Sequence, residues 1–205
     1  ALAALPRPIL GYVGNLRDRL DWDLVSALAE ARPGWSIVLL GPHDNPEAVE
    51  AMARHANVHL PGPVDYETMR ACLRHFDVAI VPHRVNGMTD AMNPLKVYNY
   101  VAAGRPVVAT AVANLEEVGD LVAVARDADG FIAAVEQALA QGAAPVLSPA
   151  RVAALSWDGR VAAMLRLLDG ASGAARDEGE GGQGEALRPV GDDAGRQAQG
   201  REVGQ

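Results

Sequence analysis

Short apolar runs alternate with amphipathic segments along the first 169 residues. Ile9–Val13, Ser36–Leu40, Asn57–Leu60, Asp77–Val81, Pro106–Thr110 and Leu121–Ala125 are compact and rich in branched aliphatics, the pattern of strands buried on both faces. Between them apolar residues recur at helical spacing. Asp21 to Arg32 sets Leu24, Val25 and Leu28 on one side, and Asp65 to His75 carries Met69, Cys72, Leu73 and Phe76 at the 3.6-residue period. Asp127 to Gln141 turns Phe131, Ile132, Val135 and Leu139 one way. Pro46 to His55, Pro94 to Ala103 and a long stretch from Pro149 to Leu168 complete the predicted helices. Punctuation agrees with the periods. Asp21, Asn45 and Asn93 are placed to cap, Pro46 and Pro94 stand at first turns, and Pro33-Gly34 and Gly104 stop helices. Gly41-Pro42, Pro61-Gly62-Pro63 and Pro82 close strands.

Strand and helix in strict alternation predict a doubly wound α/β domain, a parallel sheet covered on both faces with right-handed crossovers. Residues 1–169 form this domain. From residue 170 to 205 the chain is rich in glycine and charge and holds no aromatic residue. Such a segment buries too little apolar surface to offset its ordering entropy, and the expectation is a disordered C-terminal tail.

Composition narrows the function. The chain has 205 residues and a formal charge of -8. The acidic balance argues against a nucleic-acid binder, which shows a basic face. No apolar run is long enough for a transmembrane segment, and Pro6, Arg7 and Pro8 interrupt any leader-like start, so a cytoplasmic protein is expected. The single cysteine, Cys72, allows no internal disulfide or zinc cluster and fits a helix core. Of the 18 basic residues only Lys96 is a lysine. Its compact ammonium is not interchangeable with guanidinium, which makes Lys96 a residue to follow.

Ligands of doubly wound sheets bind beyond the carboxyl ends of the strands, near the point where strand order reverses. Two segments there have the composition of a site. In Gly11-Tyr12-Val13-Gly14-Asn15-Leu16-Arg17, Gly14 and Asn15 offer backbone amides to an anion and Arg17 a charge. The glycine spacing is neither a G-x-G-x-x-G fingerprint nor a Walker loop. In Asn93-Pro94-Leu95-Lys96-Val97-Tyr98-Asn99, a capped helix start with free Leu95 and Lys96 amides and its own lysine suits a phosphate. Asn99, a turn and a half beyond Pro94, falls at the height of a ribose. A well-capped packing helix with a solvated lysine explains the same residues. His83 and Arg84 follow a strand and line the same edge, where Arg84 or Arg17 can neutralise a diphosphate. Trp157 reads as a packing anchor.

The run from Asn93 through Lys96 and Asn99 to Thr110 resembles the donor-binding signature of the family-four, group 1 glycosyltransferases of GT-B type, P-L-K-x-x-E-Y-x-A-x-G-x-P-V-V. Four further segments resemble that family in order: Ile9–Gly14, Asn57–Pro63, Asp77–Pro82 and Ser156-Trp157-Asp158. The resemblance spans roughly residues 8 to 168. It departs at the family's E-x7-E pair, where Asn99 replaces the second glutamate and Ala91, beside Asp90, the first. An amide has one acceptor oxygen and no charge with which to clamp a ribose diol.

The resemblance implies the Rossmann-like donor half of a GT-B enzyme. Its parent is a hexosyltransferase that moves a sugar from a nucleoside diphosphate to a hydroxyl acceptor, with retention and with neither metal nor other cofactor. The nucleotide-sugar donor is then a partner, together with an N-terminal acceptor domain missing from this chain. The apolar face left by that domain predicts a weak homodimer. Alone, the domain is expected to be inactive, and no catalytic residue is assigned. Two other readings stay open: a non-catalytic nucleotide-binding domain that works only with a separate acceptor domain, and half of a nucleotide-sugar epimerase. A catalytic histidine or carboxylate facing Lys96 would favour the epimerase.

Overall fold

The computed structural model describes residues 2–90, 92–142, 144 and 147–177. It divides into two units, Ala1–Arg160 and Val161–Gln205. In the first, six strands form one parallel sheet: β1 (Ile9–Val13), β2 (Ser36–Leu40), β3 (Val58–Gly62), β4 (Val78–Val81), β5 (Val107–Thr110) and β6 (Val122–Ala125). Their order, β3-β2-β1-β4-β5-β6, is that of a dinucleotide-binding fold and places the switch point between β1 and β4. Helices α1 (Trp22–Ala31), α2 (Pro46–Met52), α3 (Tyr66–Leu73), α4 (Gly87–Asp90), α5 (Lys96–Ala102), α6 (Ala128–Gln141) and α7 (Pro149–Leu155) connect or follow the strands. The eighth helix, α8 (Trp157–Asp177), runs from the end of the first unit into the second.

Two apolar clusters occupy the two faces of the sheet. Leu10, Ile37, Leu39 and Ile80 pack with Val25 and Leu28 of α1 and Phe131 and Val135 of α6. Ile9, Val38, Leu40 and Val81 pack with Leu73, Phe76, Val97 and Tyr100. Each fully buried aliphatic or aromatic side chain contributes roughly 1.5–3 kcal/mol. Gly11 is a packing glycine: a Cβ there would lie 2.1 Å from the Phe76 ring. Cys72 is half-buried against the second cluster, where burial raises its thiol above the ordinary range, as a core cysteine requires.

Several predicted boundaries move. β3 continues through Pro61 and Gly62, expected to close it, because it is an edge strand and proline's missing N–H deletes no ladder bond there. The stretch from Pro149 to Leu168 is two helices rather than one. Ser156 is extended (φ -74°, ψ 162°) and its Oγ accepts from Gly159 N at 3.1 Å, starting α8. Helix α8 continues to Asp177, so residues 170–177 are helical rather than structureless; the remainder of the predicted tail, 178–205, lies outside the described residues. Among the described residues no helix is long and apolar enough to cross a membrane.

Candidate anion site at the β1–β4 switch point

Backbone bonds fix the loops beyond β1, β2 and β4 to one another. Gly14 N donates to Leu40 O (2.9 Å), Leu16 N to Pro42 O (2.9 Å), Asp21 N to Pro82 O (2.8 Å) and Arg84 N to Arg19 O (2.8 Å). The first two loops approach so closely that a Cβ on Gly41 would lie 1.9 Å from Gly14 O. Gly14 has φ +147° and Gly41 φ +149°, values that L side chains rarely adopt.

Lys96 reaches from the first turn of α5 to this edge. Its Nζ lies 2.8 Å from Tyr12 Oη and 3.1 Å from His83 Nε2, and those two atoms are 3.1 Å apart. The ammonium also stands 4.3 Å from the Tyr12 ring centroid. Gly14 adjoins it, since a Cβ there would come within 3.0 Å of Nζ. No carboxylate forms an ion pair with Lys96 or Arg19 among the described residues. Burial, then the Arg19 charge, pushes the Lys96 ammonium down to about 7. Burial, then Lys96 and Arg19, pushes His83 down to about 3, so its ring is neutral. Burial raises the Tyr12 phenol above its usual range, and it stays protonated. The Tyr100 hydroxyl accepts from Val13 N at 2.7 Å and ties α5 to β1. The result is a site at the switch point where Arg19 and a partly protonated Lys96 carry positive charge with no carboxylate ion-paired to either among the described residues.

The structure sorts the sequence candidates. Gly14 and Lys96 come together. Asn15 is exposed, and its carbonyl accepts the Tyr12 hydroxyl at 3.3 Å. Arg17 does not join the cluster: its Nε pairs with Asp44 at 3.1 Å, both side chains about half exposed. Arg19 is the guanidinium whose field reaches Lys96, His83 and Tyr12. Asn93 does not cap. Leu95 occupies the cap position of α5 with no side-chain cap bond, and the Leu95 amide, expected to be free, donates to Asn93 O at 2.9 Å. Pro94 is buried and Leu95 exposed. Asn99 is exposed and lines a cavity of about 440 Å³ with Leu95, Tyr98, Leu155 and Trp157, a lining that includes neither Lys96 nor Gly14. Trp157 is 70% exposed, so it anchors no packing. Sequence reading flagged His83 only as an edge residue and missed Tyr12 and Arg19. The signal for Tyr12 was a phenol inside a strand of aliphatics and glycine, whose hydroxyl needs a partner when buried. Among the described residues no group of three or more His, Cys, Asp or Glu is arranged to hold a metal ion.

The family described as glycosyl transferases group 1 matches residues 7–141. A putative teichuronic acid biosynthesis glycosyltransferase, TuaH of Bacillus subtilis, is 29% identical over 104 residues. Those residues are 50% of this chain and 26% of that protein, so the chain matches about a quarter of the relative's length. Among solved structures, a trehalose 6-phosphate synthase from Burkholderia multivorans aligns with TM-score 0.56 at 18% identity, covering 92% of this chain and 46% of that one. S. aureus TarM, solved with UDP, aligns with TM-score 0.54 at 15% identity, covering 66% and 29%. Anabaena HepE, solved with UDP and glucose, aligns with TM-score 0.52 at 15% identity, covering 66% and 39%. At these identities the likeness is one of fold. The family match covers all six strands of the sheet and every residue of the Lys96 cluster, and the chain belongs to the group 1 glycosyl transferases, of which it carries one Rossmann-like GT-B domain.

Proposed function

We propose that this domain is the nucleotide-sugar-binding half of a retaining hexosyltransferase that acts on a hydroxyl acceptor held by a separate domain. The observation that carries the reading is the Lys96 ammonium beside Gly14, with Arg19 near and no carboxylate ion-paired to either among the described residues. When the sugar–oxygen bond breaks, negative charge grows on the leaving diphosphate. Cations already in place stabilise that charge without reorganising, which lowers the barrier. Two structural neighbours were solved with UDP, in keeping with a nucleoside diphosphate ligand. His83 faces Lys96, the feature that would favour an epimerase. It is 0% exposed and its ring is held neutral down to about pH 3, so it does not serve as a proton donor to a sugar at neutral pH.

Thermal-shift measurements with UDP, GDP, dTDP and NAD test the proposal. A nucleoside diphosphate at a hundred times its Kd should stabilise the domain by about 2.7 kcal/mol. NAD should do less, because the third glycine and the ribose-binding acid of a dinucleotide fingerprint are absent. No stabilisation by any of the three diphosphates would defeat the reading.

A further inference from the structure

An ammonium group has three N–H donors and no acceptor. At Lys96 two of the three have partners, Tyr12 Oη at 2.8 Å and His83 Nε2 at 3.1 Å. The imidazole can hold this place only with Nε2 bare, because a protonated ring would present a donor to a donor. Its neutral state supplies the bare nitrogen, and the ring proton then sits on Nδ1. Nδ1 is buried with no hydrogen-bond partner among the described residues, a cost of roughly 1–3 kcal/mol carried by this tautomer. The His83 backbone is itself pinned. Its N–H donates to Thr110 Oγ1 (3.2 Å) while the Thr110 hydroxyl donates to His83 O (2.7 Å). On the other side Nζ adjoins Gly14, which has no side chain of its own to cover it.

We propose that Tyr12 and His83 are positioning residues for Lys96, their two acceptor atoms seating Nζ so that its remaining N–H is presented over Gly14 to the diphosphate of a bound nucleotide. This rests on the diphosphate reading of the site. The charged and titratable groups that act on Nζ among the described residues are Tyr12 from β1, Arg19 from the following loop and His83 after β4, while the Tyr100 hydroxyl on α5 is engaged with Val13. Behind His83, Asp21, Asp23, Arg126 and Asp127 share with it the wall of a cavity of about 510 Å³.

Because Lys96 is the only lysine, the 205-residue protein labelled with [13Cε]lysine gives one lysine side-chain resonance. Its titration midpoint without ligand should lie near 7. Tyr12→Phe and His83→Phe each remove one acceptor and keep a ring. Both should lower that midpoint further, since the charged amine loses a partner. Both should weaken UDP binding on the order of tenfold and leave uridine binding unchanged. His83→Gln, whose amide oxygen can accept, should recover most of the loss. Tyr12→Phe removes a single oxygen and decides the matter even if a histidine variant fails to fold. A midpoint identical in the wild type and Tyr12→Phe overturns the proposal, as does an equal loss of UDP and uridine affinity. A resonance that responds to the substitutions but ignores UDP supports the seat and overturns the diphosphate reading.

Discussion

Lys96 is charged at a cost until an anion reaches it. The folded protein holds its pKa near 7 against 10.5 for a free lysine, so between those values the unfolded chain binds the proton more readily. Its contribution to stability therefore improves as pH rises from about 7 toward 10.5, and the penalty is fully present below 7. Lys96→Met should gain most over the wild type at pH 6 and progressively less at pH 8 and 9.5, read by thermal unfolding of both proteins. A constant difference across that range would mean the lysine is solvated. In binding the sign reverses. Lys96→Ala should lose about 1.5–3 kcal/mol for UDP, a charge-assisted contact, and almost nothing for uridine, as calorimetry can show. Lys96 was legible because it is the one lysine and falls at a helix start. The choice between Arg17 and Arg19 was not: both lie in a loop without periodicity, and the Arg17–Asp44 ion pair and the Arg19 charge acting on Lys96 emerge only from the fold.

Helix starts show where local chemistry sets structure and where tertiary context overrides it. Asp21 caps α1 by accepting from Leu24 N at 3.1 Å, and Asn45 caps α2 by accepting from Ala48 N at 3.0 Å, both as their sequence positions predict. Asp127 accepts from Gly130 N at 2.7 Å and starts α6, which supplies Phe131 and Val135 to the core. Asp127→Ala should cost about 1 kcal/mol by denaturant titration. Asn93 has the same side-chain type, yet α5 begins at Lys96, because the backbone turn from Asn93 O to Leu95 N takes up the amide a cap would satisfy. The joint between α7 and α8 was hidden from periodicity, since the amphipathic pattern runs across it. It was visible only as a serine–tryptophan pair in the family resemblance. Its geometry makes Gly159 strict: a Cβ would lie 2.2 Å from Ala153 O. Gly159→Ala should destabilise by roughly 1–3 kcal/mol, the cost of overpacking, while Gly34→Ala, with nothing within 4 Å, serves as the neutral control in the same melting experiment.

At the scale of the whole molecule, alternating strands and helices predicted a parallel sheet but carried no information on strand order, which depends on long-range pairing. The order found puts β1 beside β4 and so brings Tyr12 within 3.1 Å of a histidine 71 residues away. That edge is one wall of a site. Sugar transfer also needs water excluded from the anomeric carbon and an acceptor hydroxyl held in line, and correct positioning supplies about 7–11 kcal/mol of barrier reduction in well-oriented systems. The proposed function assigns both tasks to a separate acceptor domain, in keeping with a chain that covers 26% of its curated relative. The purified 205-residue chain should accordingly bind a UDP-type ligand, lose that binding in Lys96→Ala, and transfer no sugar to added hydroxyl acceptors. Incubation with labelled nucleotide sugars and a lysate as acceptor source, followed by separation of labelled products, measures this directly. Robust transfer by the chain alone would refute the half-enzyme reading and require the catalytic groups to lie within residues 11–114, where His83, buried and neutral, is poorly suited to proton transfer.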